Sequence, residues 1–326
     1  MALPDFFIIG APKAGTTALH AALSTHPELY LSPVKEPKFF LCDGRPPARQ
    51  GGPGDAHSSR EWVWRRDDYE DLFASAPAGR LKGESTPFYL YDRGAHDRLA
   101  ALVPEAKLIA VLRDPLDRAY SNWMHLWSDG LEPIDDFEAA CAAEPVRIEA
   151  GWAPFWHYLA LGRYGEQLDH LLERFDRRQV HVLRYRDLVD FPHQVLDEIS
   201  AFLGVTPGRA TPAGPENARP YVAPGWRPDL LGPVIRAGAS VGSHLPPQAW
   251  RLASRPLVGA LQHGGATRPR LDPDVRHRLV GGFVDDNGRL GELAGSSFDD
   301  WLGDQGRGDF RTRAARRDDA DQGATS

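Results

Sequence analysis

Apolar runs alternate with stretches of helical spacing along much of the chain. Phe6-Phe7-Ile8-Ile9 is continuously apolar and ends at Gly10, the pattern of a strand buried in a parallel sheet. Beyond Ala11-Pro12-Lys13-Ala14-Gly15, the residues Leu19, Ala22 and Leu23 recur at helical spacing until Pro27. A second unit begins at Lys107, where Leu108-Ile109-Ala110-Val111-Leu112 runs straight into Arg113-Asp114-Pro115. Asp114 suits a helix cap and Pro115 the first helical position. Leu116, Tyr120, Trp123 and Trp127 then fall on one face, which is expected to be core. Tyr164, Leu168, Leu171, Leu172 and Phe175 predict another helix, followed by the strand-like Gln179-Val180-His181-Val182-Leu183. Asp272-Pro273 repeats the cap-and-proline signal ahead of Val275, Leu279, Phe283 and Leu290. Strands alternating with helices predict an α/β fold of three layers, a central parallel sheet flanked by helices.

Two stretches interrupt this rhythm. Residues 41–66 are rich in Gly, Pro and Arg, and residues 206–271 in Pro, Gly and Trp. Both read as irregular excursions over the ligand side of one domain spanning 1–303, and the first also reads as disorder. Residues 304–326 lack apolar periodicity and are expected to be a disordered tail.

Composition narrows the possibilities. With 42% hydrophobic and 25% charged residues, the chain lies in the globular range. Cys42 and Cys141 are its only cysteines, too few for a disulfide framework and without zinc-binding spacing. No run approaches the roughly 20 apolar residues of a spanning helix, and no signal-like segment opens the chain. A cytoplasmic location without integral membrane association is the expectation. A formal net charge of -7 disfavours nucleic acid and long polyanions, and favours a small partner. Nothing in the sequence fixes the oligomeric state.

The chemistry concentrates in two places. Gly10 and Gly15 bracket four residues, as in a phosphate-cradling Walker loop, but Thr16 stands where that loop has its lysine. The lysine has moved inside, to Lys13, where it would sit near the atom joining a first phosphate to its substituent. This favours a donor carrying one phosphate and one leaving group, with Thr16 and Thr17 adding hydroxyl donors. Arg113 stands at the carboxyl end of a predicted strand, the ligand-binding edge of α/β sheets. Ser121 lies about two turns into the next helix, outside its apolar stripe. A guanidinium and a hydroxyl there would clamp a phosphate monoester; pairing of Arg113 with Asp114 or Asp117 is the structural alternative.

These residues resemble the PAPS-dependent sulfotransferases, whose donor is 3′-phosphoadenosine 5′-phosphosulfate. Gly10-Ala-Pro-Lys-Ala-Gly-Thr-Thr17 is similar to the family's 5′-phosphosulfate loop, and Arg113-Asp-Pro-Leu-Asp-Arg-Ala-Tyr-Ser121-Asn-Trp123 to its 3′-phosphate motif. Weaker likeness runs through Lys35-Glu-Pro-Lys-Phe-Phe40, Gly83-Glu-Ser-Thr-Pro-Phe-Tyr89, Gly162-Arg-Tyr-Gly-Glu-Gln-Leu168 and Leu183-Arg-Tyr-Arg-Asp-Leu188. The resemblance implies a P-loop-like α/β fold and sulfuryl transfer without a metal. It places Lys13, Ala14, Gly15, Thr16, Thr17, Arg113, Ser121 and Tyr185 on the donor, with Lys13 also catalytic. Small-molecule members carry a catalytic histidine near Gly83-Glu84-Ser85, and this chain has none there. Carbohydrate-type members, such as heparan sulfotransferases, use a glutamate in a segment like Glu36-Pro-Lys-Phe-Phe40, which implies Glu36 as general base. Those members often have a lysine where Ser85 stands.

Glu84, His20 and His125 remain alternative bases. The acceptor, a hydroxyl or amine of a saccharide, lipid or other small molecule, is open; Trp62, Trp64, Trp152, Trp156 and Trp226 are candidates to stack on it. Two rival readings stand beside the transferase. One is a metal-dependent nucleotide kinase in which Asp114 holds magnesium, and the other a non-catalytic nucleotide-binding module.

Overall fold

The computed structural model describes residues 3–48, 50–53, 62–214, 221–223, 225–242, 247–263 and 268–303. The expected tail, 304–326, and part of the first excursion, 54–61, lie outside the described residues. Five strands, β1 (Phe6–Gly10), β2 (Leu29–Leu31), β3 (Leu81–Ser85), β4 (Lys107–Leu112) and β5 (Val180–Arg184), form one sheet in the order β2-β3-β1-β4-β5. The pairings are all parallel, with Phe6 opposite both Gly83 and Lys107. Flanked by helices, the sheet buries β1 completely, and this explains why Phe6 through Ile9 carry no polar side chain.

From β1 the chain runs to one edge and returns through β3, then crosses to β4 on the other side of β1. The order of strands therefore reverses at β1. Such a switch opens a crevice beyond the carboxyl ends of the neighbouring strands.

The helix Pro115–Ser128 begins as the sequence predicts, with the Asp114 carboxylate accepting from the Leu116 and Asp117 N–H groups at 3.0 Å each. Leu116, Trp123 and Trp127 are buried, while Tyr120 is half-buried. A second core forms beyond it around Trp123, Phe137, Trp156 and Tyr158. Beneath that core Glu132 and Arg147 make a buried two-bonded pair at 2.7 and 2.9 Å, and the Tyr158 hydroxyl donates to Glu132 at 2.5 Å. A buried pair satisfied this fully fixes the segment 153–158 that follows.

Two differences from the sequence reading stand out. The segment 206–271 is not irregular throughout, because it carries the helices Trp226–Gly242 and Pro247–Gln262. Their interior prolines, Pro233 and Pro256, mask them in the sequence. Ile235 and Leu261 are buried over Gly130, where a Cβ would meet Ile235 Cδ1 at 2.8 Å. The pattern from Asp272 to Leu290 is likewise two helices, Pro273–Val280 and Val284–Ala294, joined by a tighter turn at Gly281–Phe283.

Candidate active site

Chain from beyond the carboxyl ends of all five strands converges on one cavity of about 480 Å³. Lys13, Gly15, Thr16 and Thr17 come from beyond β1, Glu36 from beyond β2, Phe88 from beyond β3, Arg113 from beyond β4 and Tyr185 from beyond β5. Ser121 and His125 reach it from the helix Pro115–Ser128, one turn apart on the same side. Ala14 alone among the eight donor residues named above is off the wall: it is fully buried, and its N–H donates to the Ala11 carbonyl at 3.2 Å.

The loop after β1 is shaped by its backbone. Gly15 has φ 81°, a conformation costly for any residue with a Cβ, and a Cβ there would lie 2.8 Å from Tyr185 Cε2. The helix Thr16–Leu23 that follows has no capping side chain and no acid in its first turn. Its N-terminal amides and positive dipole end therefore lie where an anion is favoured. Arg113 donates to the Lys13 carbonyl at 3.2 Å and lies over the Tyr185 ring at 5.1 Å. The two sequence motifs, 100 residues apart, are thus in direct contact.

Among the described residues, the non-glycine positions with positive φ are Lys13, Glu36 and Lys38. Each costs roughly 1–2 kcal/mol, and all three line the cavity or its neighbour. Segment 35–38 is held against the end of β3, with the Glu36 N–H donating to the Ser85 carbonyl at 2.9 Å. Lys35 Nζ sits 2.5 Å from Glu36 Oε1.

A second cavity, of about 430 Å³, adjoins the first. Glu36, Phe88, His125 and Phe155 line both. Asp129, one turn beyond His125, lies on the second wall with its carboxylate 3.7 Å from His125 Nε2. A single helix face thus runs from Ser121 through His125 to Asp129, across the junction. Trp62 and Trp156 also line the second cavity. Trp64 and Trp152 line neither, and nothing is described of the Trp226 side chain.

The other candidate bases sit elsewhere. Glu84 is fully buried beneath the sheet edge, accepting from the hydroxyls of Tyr69, Thr86 at 2.6 Å and Tyr89 at 3.2 Å. Burial pushes its carboxyl up to about 7, against the pull of those hydrogen bonds. His20 is lowered to about 4, first by burial and then by the Lys35 cation, so it is neutral at pH 7. Neither residue lines either cavity. Asp114, the magnesium candidate, is already engaged as a helix cap and paired with Arg276 in a buried contact.

Arg268 was missed in the sequence. It lines the first cavity from beyond the second C-terminal helix, and the only local signal is an arginine shortly before the Asp272-Pro273 cap. Phe88, Phe155 and Asp129 were missed because only the fold brings them together.

Residues 4–207 match the sulfotransferase family. The mouse bifunctional heparan sulfate N-deacetylase/N-sulfotransferase 4 is 32% identical over 217 residues, covering 63% of this chain and 23% of the relative. The human heparan sulfate glucosamine 3-O-sulfotransferase 3B1 is 30% identical over 205 residues, covering 62% and 46% respectively. The chain therefore spans from about a quarter to about half of the length of these relatives. A sulfotransferase structure from Alicyclobacillus acidocaldarius superposes with a TM-score of 0.72 at 30% identity, covering 93% of this chain and 100% of that one.

Proposed function

The chain belongs to the sulfotransferase family, and from that premise we propose that it transfers the sulfuryl group of 3′-phosphoadenosine 5′-phosphosulfate to an acceptor hydroxyl or amine. The observation that carries the reading is the meeting of the two phosphate motifs on one cavity, joined to a second cavity across Glu36 and His125. Lys13, Thr16, Thr17 and the amides at the start of Thr16–Leu23 would hold the 5′ phosphosulfate, and Arg113 and Ser121 the 3′ phosphate. Tyr185 braces the loop, and Arg268 adds a third cation to the same wall.

In the transfer, an acceptor oxygen or nitrogen forms a bond to sulfur as the bond from sulfur to the phosphate oxygen breaks. The electron pair of that bond leaves on the 5′ phosphate. By analogy with phosphoryl transfer, such a step is loose and in line, so stabilising the leaving phosphate does most of the work. Lys13 and the loop amides are preorganised there. Glu36 would take the acceptor's proton, because its carboxylate lines both cavities at the place where donor and acceptor meet. The unshared walls of the two cavities hold the remainder of each substrate.

The test is calorimetric titration with 3′,5′-adenosine bisphosphate in the presence of a chelator, and separately with ATP and magnesium. Binding of the bisphosphate without metal is expected; preference for ATP with magnesium would move the chain to the kinase reading. A Glu36→Gln variant should bind the bisphosphate normally and lose at least about a hundredfold in turnover. If His125→Gln loses the turnover instead, the histidine is the base.

A further inference from the structure

The two cavities differ sharply in charge. The first is lined by Lys13, Arg113 and Arg268 with Glu36 as its one carboxylate, as a polyanionic donor demands. The second is lined by Glu36, Asp92 and Asp129 against a single cation, Lys38, and no described arginine faces it. Lys38 itself lies over the Trp62 ring at 5.1 Å, so it is partly committed to an aromatic face. Glu36, Asp92 and Asp129 are braced by groups outside the lining, Lys35 at 2.5 Å, Arg98 at 3.1 Å and Gln262 at 3.1 Å, so the neighbouring cations are already spent on the wall's own carboxylates. A sulfated or carboxylated glycan entering here would meet carboxylates without the cations needed to offset its own charge.

The rest of the wall points to what does fit. Trp62 and Phe155, both half-buried, supply flat apolar faces, with Leu41 and Leu131 between them. Aromatic faces for the apolar side of a ring and carboxylates to accept from its hydroxyls are together the complement of a neutral polyol ring. The volume of about 430 Å³ suits one small molecule.

Resting on the transferase reading above, we propose that the acceptor is an uncharged hydroxyl compound of glycoside type, seated against Trp62 and Phe155, and not an anionic glycan. Protein loaded with 3′,5′-adenosine bisphosphate is titrated with phenyl β-D-glucopyranoside and, separately, with heparosan oligosaccharide, each at low and high salt. The neutral glycoside should saturate with little salt dependence, since no ion pair is screened. Trp62→Ala should weaken it at least about fivefold while leaving bisphosphate binding intact. Saturable, salt-sensitive binding of heparosan equal to or tighter than that of the glycoside overturns the proposal and leaves the transferase reading standing. So does the absence of any saturable glycoside binding to the loaded protein. Failure to bind the bisphosphate at all removes the transferase reading, and this proposal with it.

Discussion

Glu84 offers a test that separates a carboxylate that supports the fold from one that performs chemistry. It is fully buried, and burial raises its pKa from 4.5 to about 7. The folded protein therefore retains a proton that the unfolded chain loses from about pH 4.5 upward. Stability contributed at low pH is lost as pH rises through the interval between those values, and above about pH 7 the loss is constant. Between pH 5 and pH 8 the loss amounts to about 2–3 kcal/mol. His20 and His96, both lowered to about 4 by burial, run the other way and gain stability as pH rises toward 6.5. The wild-type profile alone therefore mixes opposing contributions.

The difference between wild type and Glu84→Gln isolates the carboxyl. Urea unfolding of both at pH 5, 6, 7 and 8 should show the variant gaining on wild type by about 2–3 kcal/mol across the series. The amide keeps an oxygen for the Tyr69 and Tyr89 hydroxyls, so bisphosphate binding and turnover per folded molecule should persist. A difference that is flat with pH would refute the argument from burial. Loss of turnover with donor binding intact would return Glu84 to the list of bases.

Three further variants probe the proposed donor wall. Gly15→Ala places a Cβ at φ 81° against Tyr185 and should weaken bisphosphate binding at least about tenfold by calorimetry, with the circular-dichroism spectrum unchanged. Arg113→Ala should cost about 10- to 100-fold in the same affinity, and Ser121→Ala about 2- to 10-fold, the difference between a charged and a neutral hydrogen bond. Equal losses in the last two would contradict the assignment of the charge to Arg113.

What the sequence revealed and what it hid follow from distance along the chain. Lys13, Gly15, Thr16 and Arg113 were legible because each sits in a local pattern of strand, loop and helix start. Glu36 became a candidate only through resemblance, since nothing in Lys35-Glu-Pro-Lys distinguishes a base from a solvated carboxylate. Its placement depends on a backbone bond to Ser85, nearly fifty residues away. Phe88 and Phe155 carry no local signal and Arg268 only its place before the Asp272-Pro273 cap, and the tertiary fold alone brings them to one wall. The C-terminal helices were hidden by Pro233 and Pro256, which break the very periodicity that identifies a helix.

The helix Pro115–Ser128 ties these levels together. Its cap, Asp114, fixes the position of its first turn beside Arg113. Ser121, His125 and Asp129 then advance one turn at a time from the first cavity to the second. Phe155, edge-on to His125 at 5.6 Å, is held by the segment that Glu132, Arg147 and Tyr158 anchor from below. The wall shared by the two cavities is therefore supported by a buried ion pair that lines neither of them. A disturbance in that pair should reach the second cavity before the first, because the loop after β1 rests on the sheet and on Tyr185 instead.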